Sequence, residues 1–233
     1  MATTYATIIS AALNRSTVND GGATTLASDT SELVGFLSRV VRQVYTLAGV
    51  PRRMGGMAAG NYFMASQTVT LATPSTTFTA LPTSPEYVYV FSVTDNGGDV
   101  VSVVPLRDLR DGIAEVPPAV VIANGKIRSA GRTGDPTAGA VLTLEGSYLP
   151  AIATSGSHYV GATTATDDTT TYWPGHVGDP FLIAQLARYL VIKDAMRDAN
   201  ELQALDAEIA QAAEGLAHVI QVSPAALVAV RDS

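Results

Sequence analysis

The hydrophobic period of this chain changes twice along its length, and this change constrains the fold more than any other feature. Residues 29–50 place apolar side chains at the spacing of an amphipathic helix, behind a capping box from Asp29 to Glu32. Residues 66–152 alternate apolar side chains with threonine or form short β-branched runs, as strands do. Helical spacing returns over residues 173–220. The pattern predicts an α+β fold, in which the N- and C-terminal helices pack as a bundle with a central antiparallel β segment of hairpins and long loops.

The same pattern divides the chain into parts. Residues 1–65 and 173–220 form the predicted helical part, and residues 66–152 form the β-rich part. Residues 153–172 make a long loop rich in Ser, Thr and Gly, and residues 221–233 make a C-terminal arm. We expect the two helical stretches to share one core, because the apolar face of each helix needs a partner.

Turn signals organise the β-rich part. A two-residue Asn-Gly link at residues 124–125 predicts a hairpin between residues 120–123 and 126–129. A glycine-containing turn follows the β-prone run at residues 87–93, for which residues 100–104 are the expected hairpin partner.

One face of the run at residues 87–93 is aromatic. Tyr87, Tyr89 and Phe91 share this face, which could in principle stack nucleic-acid bases. No basic side chains surround them in the sequence, so core or cross-strand packing is the favoured interpretation.

Two long helices are predicted near the C-terminus. The first begins at Pro180, with Gly178 or Asp179 as its cap, because proline suits the first helical turn. We expect it to touch the helix of residues 29–50 through four apolar residues: Phe36, Val40, Leu186 and Leu190. The second has an apolar seam, typical of an antiparallel helix pair or a short coiled coil. The seam residues are Leu202, Leu205, Ile209, Ala212, Leu216 and Val219.

Two segments look suited to contact other proteins. The loop at residues 153–172 has no Lys or Arg and no apolar period, so we predict that neighbouring subunits or another partner order it. The arm at residues 221–233 is apolar near the chain end, and we interpret it as a docking segment. The alternative is that the arm folds back on its own β segment. The candidate interaction residues are Arg52, Arg53, Pro224, Leu227, Val228 and Val230.

The composition excludes several classes of function. Of 233 residues, 15% are charged and the net charge is −7. Such a low charged fraction fits a surface covered by neighbours, and a bias toward Ala, Thr and Val explains it equally well. No basic patch could grip nucleic acid, and no cysteine supplies a thiolate or disulfide. No signal peptide or membrane-spanning run is evident, so we expect synthesis in the cytoplasm and no membrane partner.

No catalytic constellation is evident either. His158, His176 and His218 have no second histidine at metal-ligand spacing, and the acidic pair at residues 167–168 lies in a threonine-rich loop. No nucleophile elbow or phosphate-binding loop occurs. We therefore predict that the chain is not an enzyme and has no catalytic residue, cofactor or metal. A hydrolase with an unrecognised acidic pair stays open as an alternative.

The order of several short motifs adds a resemblance. After the capped helix come a Leu-Pro step, a β run, a short helical stretch, a hairpin, an aromatic-x-Pro exit and a Trp-Pro step into the last helices. These motifs lie at Leu81-Pro82, residues 87–93, residues 105–109, residues 120–129, Tyr148-Leu149-Pro150 and Trp173-Pro174. The order resembles the head-to-tail adaptors of tailed phages, the family that includes the tubular gatekeeper-like proteins of short-tailed phages. The likeness covers nearly the whole chain; residues 15–28 and 153–172 depart from it as added length.

The resemblance implies a structural role in the neck of a virion. Subunits would form a ring, expected to be dodecameric like the portal, that joins the capsid to the tail. The implied partners are the portal protein, the tail or nozzle proteins, and further copies of the chain. DNA would pass through the channel without specific binding, because repeated acidic subunits repel it.

Other interpretations stay open. A stopper, a tail terminator or a tail-tube subunit is also a ring component and differs in partner and symmetry. A carbohydrate-binding module of a tail spike is a further alternative, which helical stretches at both ends disfavour because such modules are usually all-β.

Overall fold

The computed structural model describes residues 3–15, 30–49, 52–54, 57–59, 63–83, 86–106, 118–164, 173–193 and 199–230, with the backbone alone at 52–54 and 57–59. The fold mixes helices with mostly antiparallel strands, in agreement with the predicted α+β class. The chain folds into two compact units. Unit 1 comprises Met1–Phe63 and Leu149–Ser233, and unit 2 comprises Met64–Tyr148.

Unit 1 is mainly helical. Its elements are α1 (Tyr5–Arg15), α2 (Thr30–Gly49), β1 (Arg52–Met54), β2 (Met57–Ala59), α3 (Gly175–Lys193), α4 (Ala199–Ile220) and α5 (Pro224–Val228). α3 is the central helix, because α1, α2 and α4 all pack against it. Its apolar core includes the fully buried side chains Tyr5, Ile8, Leu33, Leu37, Tyr45, Phe181 and Leu182.

Helices α3 and α4 run antiparallel. Near the end of α3, Arg188 Nε donates to Asp206 Oδ1 (2.6 Å) in the second turn of α4. At the other end, Val177 lies beside Gly215. The buried face of α4 is Leu205, Ile209, Ala213, Leu216, Ala217 and Ile220. Of the predicted seam, Leu205, Ile209 and Leu216 are buried, whereas Leu202, Ala212 and Val219 are only half-buried. A straight helix advances 3.6 residues per turn and so drifts away from a strict 3.5-residue repeat.

The predicted start of α3 was also wrong. The helix begins at Gly175, directly after Pro174, whose carbonyl accepts from the N–H groups of Val177 (3.0 Å) and Gly178 (2.8 Å). Pro180 lies inside the helix, where its missing N–H removes one intrahelical hydrogen bond. The Trp-Pro step is thus the helix start signal.

Helices α2 and α3 pack against each other within unit 1, as predicted for residues 29–50 and the C-terminal helix. Phe36 stacks on Tyr189, with ring centroids 4.3 Å apart and planes 21° from parallel. The four residues named for this contact, Phe36, Val40, Leu186 and Leu190, are all buried. Asp29 of the predicted capping box lies outside the described residues.

Unit 2 is built of strands. They are β3 (Met64–Thr70), β4 (Thr79–Ala80), β5 (Glu86–Thr94), β6 (Ser102–Val103), β7 (Ala119–Ala123), β8 (Lys126–Ser129) and β9 (Val141–Leu149). One sheet has the order β3-β9-β5 and the other the order β4-β8-β7-β6. A single apolar cluster, which includes Val69, Val93, Val120, Ile127 and Leu142, takes side chains from both sheets. Most of the short helical stretch predicted at 105–109 lies outside the described residues.

The two hairpin predictions have different outcomes. The Asn-Gly hairpin is confirmed: β7 pairs antiparallel with β8, and Asn124 and Gly125 have φ values of 51° and 67°. The second prediction is wrong beyond residue 101. The segment returns beside β5 only as far as Val101, whose N–H donates to Val93 O (2.8 Å). β6 then joins the other sheet, parallel to β7, and buries Val101 in the shared core.

Candidate functional site

The predicted interaction residues near the start of the chain lie on a short ladder. Arg52 and Arg53 belong to β1, opposite Ala59 and Ala58 of β2. Only the backbone of this ladder is described, so the interaction expected of the two arginine side chains stays a prediction.

The C-terminal segment turns back sharply after α4. Gln221 adopts a positive φ of 54°, and the N–H of Val222 donates to Ala217 O (3.1 Å). This arrangement closes the end of the helix and reverses the chain. α5 follows and packs against α4 of the same unit.

The reversal buries two apolar residues of the arm. Leu227 and Val230 are buried, and Gln185 Nε2 on α3 donates to the carbonyl of Val230 (3.2 Å). The prediction that residues 221–233 lie outside the subunit core is therefore wrong for Leu227 and Val230, and docking of a partner on this segment stays a prediction. Pro224 begins a new helical turn, α5, because proline suits the first helical position. Pro224 is exposed and Val228 half-buried, so these two candidates remain open to solvent.

Residues 153–164 are also held by their own unit. The first N–H groups of a helix lack intrahelical acceptors. Carbonyl groups of this loop accept hydrogen bonds from the first N–H groups of α1. Tyr5 N–H donates to His158 O (3.1 Å), Ala6 N–H donates to Gly156 O (2.8 Å), and Val160 N–H donates to Thr3 O (2.8 Å). The prediction that partners order this loop is wrong for residues 153–164, where Val160 and Ala162 are buried. Residues 165–172 lie outside the described residues.

Asp179, predicted as a helix cap, instead joins three segments of unit 1. Its Oδ2 accepts from Thr3 Oγ1 (2.7 Å), and its Oδ1 accepts from Trp173 Nε1 (2.9 Å). The carboxylate therefore anchors the N-terminal residues and the Trp-Pro step to α3, which is a structural role.

A second charged cluster crosses from α2 to α3. Glu32 accepts hydrogen bonds from Lys193 and from the Tyr189 hydroxyl. The hydrogen bond from Lys193 lowers the pKa of Glu32, and the same contact raises the pKa of Lys193. Because both side chains are open to solvent, this is a surface ion pair between helices.

The histidines stay apart from one another. His158 Nδ1 accepts from Thr154 N–H (3.2 Å) within the loop, and His218 is exposed on α4. Across the described ranges no group of three or more His, Asp or Glu side chains could hold a metal ion. The acidic pair at residues 167–168 lies outside those ranges.

His176 borders a cleft of about 470 Å³ between α3 and α4. The small residues Ala184, Ala212 and Gly215 create the space, and Arg15 pairs with Glu208 at its side. The ion pair neutralises both charges, and the rest of the lining is mainly apolar. The cleft therefore presents no nucleophile with an adjacent base.

Unit 2 carries a groove that sequence reasoning missed. It has a volume of about 280 Å³ and is lined by Leu81, Tyr87, Val88, Tyr89, Val90, Val103, Ile122 and Gly125. We call it the β5 groove, because four consecutive residues of β5 line it. Consecutive strand residues point to opposite faces, so a groove lined by all four runs along the edge of the strand. β5 is an edge strand of its sheet.

The rim of the β5 groove exposes apolar surface. Tyr89 is 48% exposed and Val103 is 45% exposed, and the ring of Tyr89 lies 5.1 Å from that of Phe91. Tyr87 is fixed instead, since its hydroxyl donates to Leu144 O (3.2 Å) and burial raises its pKa to about 12. The sequence favoured core or cross-strand packing for the aromatic face, and core packing is wrong for Tyr89, whose nearest aromatic neighbour is Phe91 of the same strand. The sequence did carry one signal for this exposed surface, because β5 is apolar on both faces. Such a strand exposes one apolar face unless other elements cover both.

The comparisons add no family assignment: no protein-family model matches the chain, and no curated protein matches it significantly. No described helix is both long and apolar enough to cross a membrane. The β5 groove, uncharged and with an exposed apolar rim, has the character of a contact surface.

Proposed function

We propose that this chain is a structural subunit of a tailed-phage neck, a head-to-tail adaptor that forms a ring, expected to be dodecameric, beneath the portal protein. It joins the capsid to the tail and lines the channel for DNA. The observation that carries the proposal is the order of the two units along the chain. Both chain ends contribute to the helical unit 1, and strands occupy the middle as unit 2. This is the order of elements on which the resemblance to adaptors rests.

The polar groups of unit 1 support a structural role. Asp179 ties the N-terminal residues to α3, Glu32 ties α2 to α3, and Arg15 ties α1 to α4. Burial raises the pKa of Tyr5, whose hydroxyl bonds with Ser38, so it stays neutral at physiological pH. Each of these groups therefore has a partner within unit 1 that accounts for it by packing.

The proposal assigns different partners to the two units. Under this proposal unit 1 binds the portal protein, and unit 2 contacts further copies of the chain and the tail or nozzle proteins. With a net charge of −7 per subunit, a ring presents an acidic channel that repels the DNA backbone. DNA then slides through without being held.

A co-sedimentation experiment tests the proposal against its nearest alternative. Purified chain is mixed with assembled portal rings of the same phage and, separately, with assembled tail tubes. We expect the chain to sediment with the portal at a fixed stoichiometry. Binding to the tail tube alone would reassign it to a tail terminator or tube component, and binding to neither would contradict a neck role.

A further inference from the structure

One side of the β3 backbone has no hydrogen-bond partner in the described part of the chain, because β3 is an edge strand of its sheet. Leu71, directly after β3, identifies that side. Its N–H donates to Ala140 O (2.9 Å) and its carbonyl accepts from Gly139 N–H (3.1 Å), so both groups face the β9 side. The backbone groups of successive strand residues point to opposite sides. The residues of β3 whose N–H and C=O groups point away from β9 are therefore Ser66, Thr68 and Thr70.

This free side, which we call the β3 edge, lacks the features that usually keep an edge strand from pairing with another chain. Such features are charged side chains, proline and bulges. β3 contains no charged residue and no proline, and its register with β9 is unbroken from Met64 to Thr70. The side chains of Ser66, Thr68 and Thr70 are exposed. The β3 edge is therefore a regular and accessible row of backbone donors and acceptors.

Backbone geometry determines the class of occupant. Only an extended polypeptide presents N–H and C=O groups at the spacing of a strand, which is how a peptide is added to a sheet edge. In an antiparallel pair, each outward-facing residue exchanges two hydrogen bonds with the residue directly opposite. An incoming antiparallel strand therefore satisfies Ser66, Thr68 and Thr70 together.

Charge determines which extended segment fits. Ser66 lies opposite Glu145 of β9, and the two side chains share the solvent-exposed face of the sheet. Glu145 forms no ion pair with a described side chain. Neighbouring strands lie about 4.8 Å apart, so a lysine or arginine opposite Ser66 extends across this small residue to Glu145. The exposed carboxylate therefore favours a basic residue at that position of the incoming strand.

We propose that the β3 edge binds an extended segment of another protein as an added antiparallel strand, with Lys or Arg opposite Ser66. A second copy of this chain fits less well, because each copy carries a net charge of −7. Two β3 strands paired through all three residues would also place Thr70 opposite Ser66, which supplies no cation for Glu145. The inference goes beyond the proposed neck function and stands on unit 2 alone.

Synthetic peptides added to the full chain test the backbone part of the proposal. The probe is acetyl-Val-Thr-Thr-Thr-Lys-amide, whose first, third and fifth residues lie opposite Thr70, Thr68 and Ser66. In isotope-labelled protein it should shift the amide resonances of these three residues and slow their hydrogen exchange. N-methylation of its third residue should abolish both effects, because the N–H that faces the β3 edge is lost. N-methylation of its second residue should preserve them, because that N–H points away.

Charge reversal tests the role of Glu145. A peptide with Glu in place of Lys should bind about fivefold more weakly, the size of effect usual for a surface ion pair. Glu145→Lys should reverse this preference. Glu214→Lys is the matched control, because it makes the same change in charge at an exposed position of α4 and should leave the preference unchanged.

Three results would overturn the proposal. Unchanged amide resonances of Ser66, Thr68 and Thr70 with every peptide would exclude an added strand. Equal binding of the Lys and Glu peptides would contradict the basic partner. Concentration-dependent protection of the same amides without peptide would show that a second copy occupies the β3 edge. Portal binding is measured separately, so failure here leaves the neck function standing, and failure to bind a portal leaves this edge site standing.

Discussion

The indole of Trp173 lies directly against Gly178, so closely that a Cβ at residue 178 would come within 2.5 Å of the ring. Trp173 is buried just before α3 begins, and its Nε1 donates to Asp179, the residue after Gly178. The Trp-Pro step can close onto the helix only because residue 178 has no side chain. The sequence therefore needs glycine here for space and not for an unusual backbone angle.

We expect Gly178→Ala to lower stability by about 1–3 kcal/mol, because the added methyl overpacks the indole. Gly35→Ala is the matched control on α2, where a Cβ would meet nothing within 4 Å. That change should raise stability by up to about 1 kcal/mol through helix propensity. Thermal unfolding by circular dichroism measures both, and equal effects of the two variants would contradict the packing argument.

Leu227→Ala should destabilise unit 1 by about 2–5 kcal/mol, the usual cost of a cavity at a buried leucine. Val228 is half-buried, so Val228→Ala should cost clearly less. Deletion of residues 223–233 should likewise lower Tm. An unchanged Tm after this deletion would restore the interpretation of the segment as a separate docking arm.

Glu32→Gln should lower stability only slightly at neutral pH, because the pair with Lys193 is open to solvent and screened by it. The folded state lowers the pKa of Glu32 through this hydrogen bond, so the stabilisation is complete above the ordinary glutamate pKa of 4.5 and is lost as the pH falls further. Urea unfolding of wild type and variant at neutral and at strongly acidic pH measures this. A difference that grows on acidification would contradict the assigned pair.

The chain should not bind double-stranded DNA at physiological salt, because it has 21 acidic residues against 14 basic ones. Mobility-shift titration to micromolar protein should show no retarded band. Salt-sensitive binding in that range would instead indicate a DNA-gripping component.

The sequence correctly predicted those elements whose conformation is set by residues adjacent in the chain. Asn124 and Gly125 tolerate positive φ, so their hairpin follows from the turn alone. The start of α3 was misplaced because Pro180 offered a familiar signal, whereas the helix begins directly after the Trp-Pro step at residues 173–174. Trp173 packs there against Gly178, and the helix propensity of neither residue predicts that contact.

The candidate site was harder to foresee. The polar composition of residues 153–164 hides that their carbonyls cap α1, and the apolar arm does not reveal which surface buries Leu227. The β5 groove depends on where β6 leaves β5 for the other sheet, so Val103 and Tyr89 become neighbours only in three dimensions.

The mass of the assembly that the chain forms on its portal tests the central claim most directly. Mass photometry of portal rings, before and after addition of excess purified chain, counts the copies bound per ring. The account predicts one discrete new species, heavier by one chain per portal subunit. A continuous spread of masses, or no added mass at all, would contradict the assignment to a ring-forming neck adaptor.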